Sequence, residues 1–322
     1  MDIVKIVDAA IARLSEGEHS LGLKAVKRHI AAAIRHFERD DGGDVDAFTD
    51  TIYRTNQAFE GGLKEAYRVL AEKDPAKLSP FEIENYLETN RLIRPRALKQ
   101  LTRYREDYRN PSTHDYKLDF DEDEALLAIV SVCAFTKLLV NQISNKLAFV
   151  AASALPPTKL NRDISSKSEF ILLVTDIIKQ SLETVAVSSM DPEGLDGFIN
   201  GALASNGLNT FAKLETDIIE DDGSFWDIVA SKDDFSLPVE IRIAEKSNID
   251  RSFGYLIEKS AEEKLDSALI VVVPQKADHE KFRLYRCAQD NGTDIFAITT
   301  AEYYGKLRRR EKPVFRNMKL FD

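Results

Sequence analysis

Residues 95–140 read PRALKQLTRYREDYRNPSTHDYKLDFDEDEALLAIVSVCAFTKLLV. Pro95 suits the first turn of a helix running toward Tyr108, because the N–H it lacks is one that a helix start leaves unpaired anyway. Asn110-Pro111-Ser112 is expected to break that helix. The acidic run Asp121-Glu122-Asp123-Glu124 then opens another, its charge complementing the positive end of the helix dipole. Leu126, Leu127, Ile129, Val130, Val132, Phe135, Leu138, Leu139 and Val140 make this second helix apolar nearly all round, which predicts burial against several helices or at a subunit interface. From Arg91 to Arg109 the chain carries Arg91, Arg94, Arg96, Lys99, Arg103, Arg105 and Arg109 against only Glu106 and Asp107, a basic track inside a chain of net charge −10.

The helical reading extends toward the N-terminus. Ile3, Val7, Ala10 and Leu14 form one apolar stripe at helical spacing, Val26, Ile30, Ala33 and Phe37 a second, and Phe59, Leu63, Ala66 and Leu70 a third. Ser79-Pro80 is a favourable helix entry. Toward the C-terminus the character changes: Ala151-Ala152-Ser153, Pro156-Pro157 and Asp163-Ile164-Ser165-Ser166 read as a linker over residues 151–167. Beyond it, a helix from Glu169 to about Thr184 precedes strand patterns at Phe211–Ile219, Phe225–Ala230, Pro238–Ala244, Ala268–Val273 and Asp294–Ile298, with helices expected at Ile249–Lys264 and Ala277–Asp290. The unbroken apolar run Ala268–Val273 suits a strand covered on both faces. The predicted class is therefore α + α/β: an all-α helical bundle over residues 1–150, the linker, and an α/β domain with a central mixed sheet over residues 168–322.

Composition excludes some functions. An acidic chain does not coat nucleic acid over its whole surface, although a local basic cleft remains open to it. Cys133 and Cys287 stand far apart without CxxC spacing, so neither a disulfide framework nor a cysteine zinc site is expected. The N-terminus lacks the pattern of a secretory leader and no uninterrupted apolar run reaches the length of a membrane span, so a cytoplasmic protein with no membrane partner is expected. His29 and His36 lie two turns apart on one helix, too far to share a metal ion without a third element. They, His19 and His279 are read as structural.

The residues that carry chemistry are Arg109, Asn110 and His114. RNA is cut without a metal when a base takes the 2′-OH proton, the oxygen attacks the adjacent phosphate, and a cation stabilises the charge that develops. An imidazole near its neutral pKa serves as base or acid. A guanidinium offers a planar fork to phosphate oxygens and stays charged. Asn110 would orient the turn or bond the substrate, and Lys99, Arg103 and Arg105 would bind the RNA backbone. In its order of elements, Tyr108-Arg109-Asn110-Pro111-Ser112-Thr113-His114 resembles the R-x4-H motif of the HEPN superfamily. The similarity covers about residues 20–148 and includes the helix with Phe59-Glu60-Gly61-Gly62-Leu63-Lys64, the short helix around Ile83–Leu87, and the Asp119–Glu124 entry. The resemblance implies a metal-independent endoribonuclease with no cofactor and an RNA substrate. It also implies a homodimer whose two motifs face one another, and a role like that of HEPN effectors in toxin and phage-defence systems, with an inhibitory or trigger partner that the sequence does not name. Glu60 and Lys64, one turn apart, read most plainly as an exposed ion pair.

In the second half, the order helix, strand, strand with Asp227, strand with Glu240 resembles the restriction-endonuclease-like fold, in which an Asp and a Glu-x-Lys hold magnesium. Here Arg242 stands at the lysine position, and arginine does not lose its proton. Lys246 is expected on the same strand face. Two alternatives accompany the ribonuclease reading. One is a Mg2+-dependent DNA nuclease using Asp227, Glu240 and Arg242, with the helical half as dimerisation module; the other is a non-catalytic dimeric interaction protein.

Overall fold

The computed structural model describes residues 2–39, 46–93, 95–114, 117–157, 164–212, 226–288, 292–310 and 312–321. The chain forms an all-α unit and a mixed α/β unit that divide between Lys146 and Leu147.

In the first unit, α1 (Ile3–Ile11) and α2 (Glu18–Phe37) precede α3 (Ala47–Leu70), which packs antiparallel to α2 as its main partner. The approach is close at Gly61, where an added Cβ would stand 2.9 Å from Val26. Next, α4 (Pro80–Thr89) starts with a capping box, Ser79 Oγ accepting from the Glu82 N–H while the Glu82 carboxylate accepts from the Ser79 N–H at 2.8 Å. Then α5 (Pro95–Tyr104) leads through a π-helical turn (Arg105–Arg109) into α6 (Asn110–His114), and α7 (Glu122–Ser153) follows. The core is aromatic where α3, α5 and α7 meet: the Phe59 ring lies 4.9 Å from Tyr104 and 5.2 Å from Phe135, the latter edge-on.

Two expectations are corrected here. Asn110-Pro111-Ser112 does not break the helix, which continues from Pro95 to His114 by way of the π turn. The expected linker begins too early, because α7 runs on to Ser153 and the next helix starts at Lys167. All-round apolarity of α7 resolves into a buried face (Ala125, Ala128, Val132, Phe135, Leu139) and an exposed one (Leu126, Leu127, Val130, Leu138). By length and composition α7 is apolar enough to cross a membrane, yet just over half of its most apolar window is buried inside the protein, as in a core helix.

In the second unit, α8 (Lys167–Glu183) and α9 (Pro192–Ser205) cover one sheet face. The last turns of α7 seat against α9, where a Cβ on Gly201 would stand 2.4 Å from the Phe149 carbonyl. The strands are β1 (Asn209–Ala212), β2 (Ile228–Lys232), β3 (Phe235–Ile243), β4 (Ser267–Val273), β5 (Phe282–Ala288), β6 (Asp294–Thr300) and β7 (Lys319–Leu320), in spatial order β1-β2-β3-β4-β6-β5-β7. The neighbours β3, β4 and β6 are parallel and the remaining pairs antiparallel, so the sheet is mixed. Between β3 and β4, α10 (Ile249–Glu262) crosses the other face, where α11 (Ala301–Arg308) and α12 (Pro313–Asn317) also pack. All seven residues of β4 are buried, as its unbroken apolar run predicts.

The helix expected at Ala277–Asp290 is a strand instead. Phe282, Leu284, Tyr285 and Cys287 are buried while Arg283, Arg286 and Ala288 are exposed, and β5 pairs residue for residue with β6. Of the strand expected at Phe211–Ile219, only Phe211 and Ala212 lie within the described residues, as does all but Phe225 of the next one.

Candidate functional site

The π turn follows from Pro111. A proline inside a helix has no N–H for the carbonyl four residues back, and its ring collides with that carbonyl. Widening the turn relieves the collision, and the Asn110 N–H reaches back five residues to the Arg105 carbonyl. Two hydroxyls add donors at the turn: Ser112 Oγ and Thr113 Oγ1 both donate to the Arg109 carbonyl, at 3.0 and 2.8 Å. Because the Ser112 proton is spent there, its oxygen accepts from Asn56 Nδ2 at 2.7 Å. Asn56 Oδ1 in turn accepts from Tyr104 OH at 3.0 Å, which shares its proton with Thr55 Oγ1 at 2.8 Å. Burial pushes the Tyr104 phenol far above its usual range, so it acts as a permanent donor. A buried polar chain thus ties α3 to the backbone of the motif.

Arg109 is held from the same helix. Its Nε donates to Glu60 Oε1 at 2.9 Å, with both side chains about a quarter exposed, and its Nη1 donates to Asn110 Oδ1 at 3.3 Å. Glu60 therefore pairs across helices with Arg109 rather than along its own helix with Lys64. Among the described residues nothing accepts from Arg109 Nη2. His114 closes α6, and its side chain lies outside the described residues, as do Arg94 and the side chain of Arg96.

The basic track divides. Arg105 is nearly buried and grips Glu84 with Nε at 2.9 and 3.1 Å from the two carboxylate oxygens, with Thr102 Oγ1 on the same carboxylate at 3.2 Å. Burial pushes the Glu84 carboxyl upward while Arg105 and Thr102 pull it down. Arg105 is thus an internal anchor and leaves the substrate-binding set. Arg103 is exposed and pairs loosely with Asp107 at 3.2 Å; Lys99 is exposed. Beside them a groove of about 350 Å3 runs between the motif helix and α7, lined by Arg103, Tyr108, Leu127, Val130 and Leu138.

Sequence reasoning missed Asn56, Tyr104, Ser112 and Glu84. A signal existed for the first: Ile52, Asn56, Phe59 and Leu63 follow one helical stripe, and an amide inside an apolar stripe needs buried partners.

In the second unit Asp227, Glu240 and Arg242 come together. Asp227 Oδ2 accepts from the Ile241 N–H and from Arg242 Nη1, each at 2.8 Å, and Arg242 Nη2 pairs with Glu240 Oε1. Glu240 is 0% exposed and Asp227 7%. Lys246 does not join them: β3 ends at Ile243, and Lys246 is exposed in the turn that follows. Among the described residues, no group of three His, Cys, Asp or Glu side chains is placed to hold a metal ion. Comparison with known proteins yields no match, whether to family models, to characterised proteins or to solved structures.

Proposed function

We propose that the helical unit is a HEPN-type, metal-independent endoribonuclease in which Arg109 stabilises the phosphate and His114 transfers the proton of the attacking 2′-OH. The observation that carries this reading is the way Arg109 is held. Glu60 takes its Nε edge and Asn110 touches Nη1, which fixes the guanidinium plane while Nη2, without an acceptor among the described residues, is left for a phosphate oxygen. A guanidinium oriented before substrate arrives costs no reorganisation when charge develops on the phosphate. Exposed Lys99 and Arg103 supply the nearby positive charge for the RNA backbone.

The site works in this reading as half of a homodimer. Leu127, Val130 and Leu138 are each at least 40% exposed on the α7 face that lines the groove beside the motif helix, which suits a second copy of this unit seated there. The same apolar face favours the second reading, a dimeric interaction module without catalysis. Incubating the protein with RNA in the presence of chelator separates them. Cleavage lost in His114→Ala and in Arg109→Ala supports the nuclease; no cleavage by wild type under any metal condition supports the module.

A further inference from the structure

Asp227 stands one residue before the registered pair Ile228–Val239, which places it opposite Glu240, and Arg242 follows on the same face of β3. The Arg242 guanidinium therefore touches three oxygens: Asp227 Oδ2 at 2.8 Å, the Ile241 carbonyl at 2.6 Å, and Glu240 Oε1. Two carboxylate oxygens and a carbonyl gathered around one guanidinium are also the donor types of a hard divalent cation. Here the place is taken by a side-chain cation that cannot titrate away at any working pH. Glu240 is fully buried and, apart from Arg242, its carboxylate has no partner among the described residues. A buried carboxylate needs a compensating positive charge, and the Arg242 guanidinium is the one in contact with Glu240.

We infer that Arg242 is the resident cation of the Asp227–Glu240 pair, held where a divalent ion would otherwise bind. The α/β unit as built takes no Mg2+ at this locus, and removal of the guanidinium alone uncovers a divalent-cation site. The inference is independent of the ribonuclease reading, since it concerns the other unit and is read by metal binding.

The test titrates Mn2+ into the full chain and follows free Mn2+ by electron paramagnetic resonance. Wild type and Glu240→Gln should give the same binding curve at all concentrations up to about millimolar. Arg242→Ala should bind one additional equivalent, lost again in the double variant Arg242→Ala/Glu240→Gln. Wild-type Mn2+ binding that disappears in Glu240→Gln would overturn the inference, as would a folded Arg242→Ala that gains no site. If Arg242→Ala is unfolded without metal, Mn2+ should restore its folded circular dichroism spectrum and chelator should reverse the recovery; failure of Mn2+ to restore it counts against the site.

Discussion

Arg105 and Lys99 carry the same charge in the same basic run and do opposite things. Arg105 is spent on Glu84, two groups buried together, and removing one partner of such a pair leaves an uncompensated charge in the core. Arg105→Ala is therefore expected to lower stability by on the order of 3 kcal/mol, read as a lower urea midpoint. Lys99→Ala should leave the midpoint in place and weaken RNA binding more at low salt than at high salt. Equal midpoints for the two variants would contradict the division of the track. Arg109→Lys should lower cleavage by roughly 10²-fold without loss of stability, because an ammonium cannot bond Glu60 and a phosphate oxygen from one rigid plane. The pairing of Arg105 with a residue 21 positions away was not legible in the sequence, where every cation from Arg91 to Arg109 reads as part of one basic track. The Asp227–Glu240–Arg242 cluster was legible as a shared strand face, since side chains alternate with period two; that the guanidinium bridges the carboxylates depends on side-chain geometry that spacing does not encode.

At the scale of elements, the π turn is the least predictable feature and the one closest to the proposed chemistry. Proline inside a periodic pattern argues for a break, and the break was expected. Instead the helix continues in a widened form, with the Ser112 and Thr113 hydroxyls bonded to the Arg109 carbonyl and Asn56 bonded to Ser112. Pro111→Ala restores a backbone donor and removes the reason for the wide turn. It should raise the urea midpoint, since proline costs a helix interior about 3 kcal/mol, and should lower cleavage at least about 10-fold by re-phasing Arg109 against His114. Full activity in a stabilised Pro111→Ala protein would show that the π turn does not position the motif. Strand β4 was legible as an unbroken apolar run, and β3 and β6 as shorter patterns that contain Val, Ile and Thr. In β5, Phe282, Leu284, Tyr285 and Cys287 satisfy spacings of both two and three, and only pairing with β6 decides between them.

An acidic overall charge is joined to a local basic track and an exposed apolar stripe on α7, and the proposed self-association would cover that stripe. An isologous dimer through α7 would cover Leu127, Val130 and Leu138 and bring two motif helices near one another. Leu127→Asp with Val130→Asp should convert a sedimenting dimer into a folded monomer and abolish cleavage together with it. A wild-type protein that is monomeric at micromolar concentration and still cleaves RNA would remove the composite site from the account.

Under the proposed function, cleavage proceeds by 2′-OH attack at the Arg109–His114 motif. It is tested most directly by giving the protein a short RNA in chelator and an otherwise identical strand with a single 2′-deoxyribose at the mapped cut. The RNA should be cut in chelator to a 2′,3′-cyclic phosphate and a 5′-OH, the deoxy-substituted strand should stay intact, and His114→Ala should cut neither. Cleavage of the deoxy-substituted strand at that position, or full activity in His114→Ala, would contradict it.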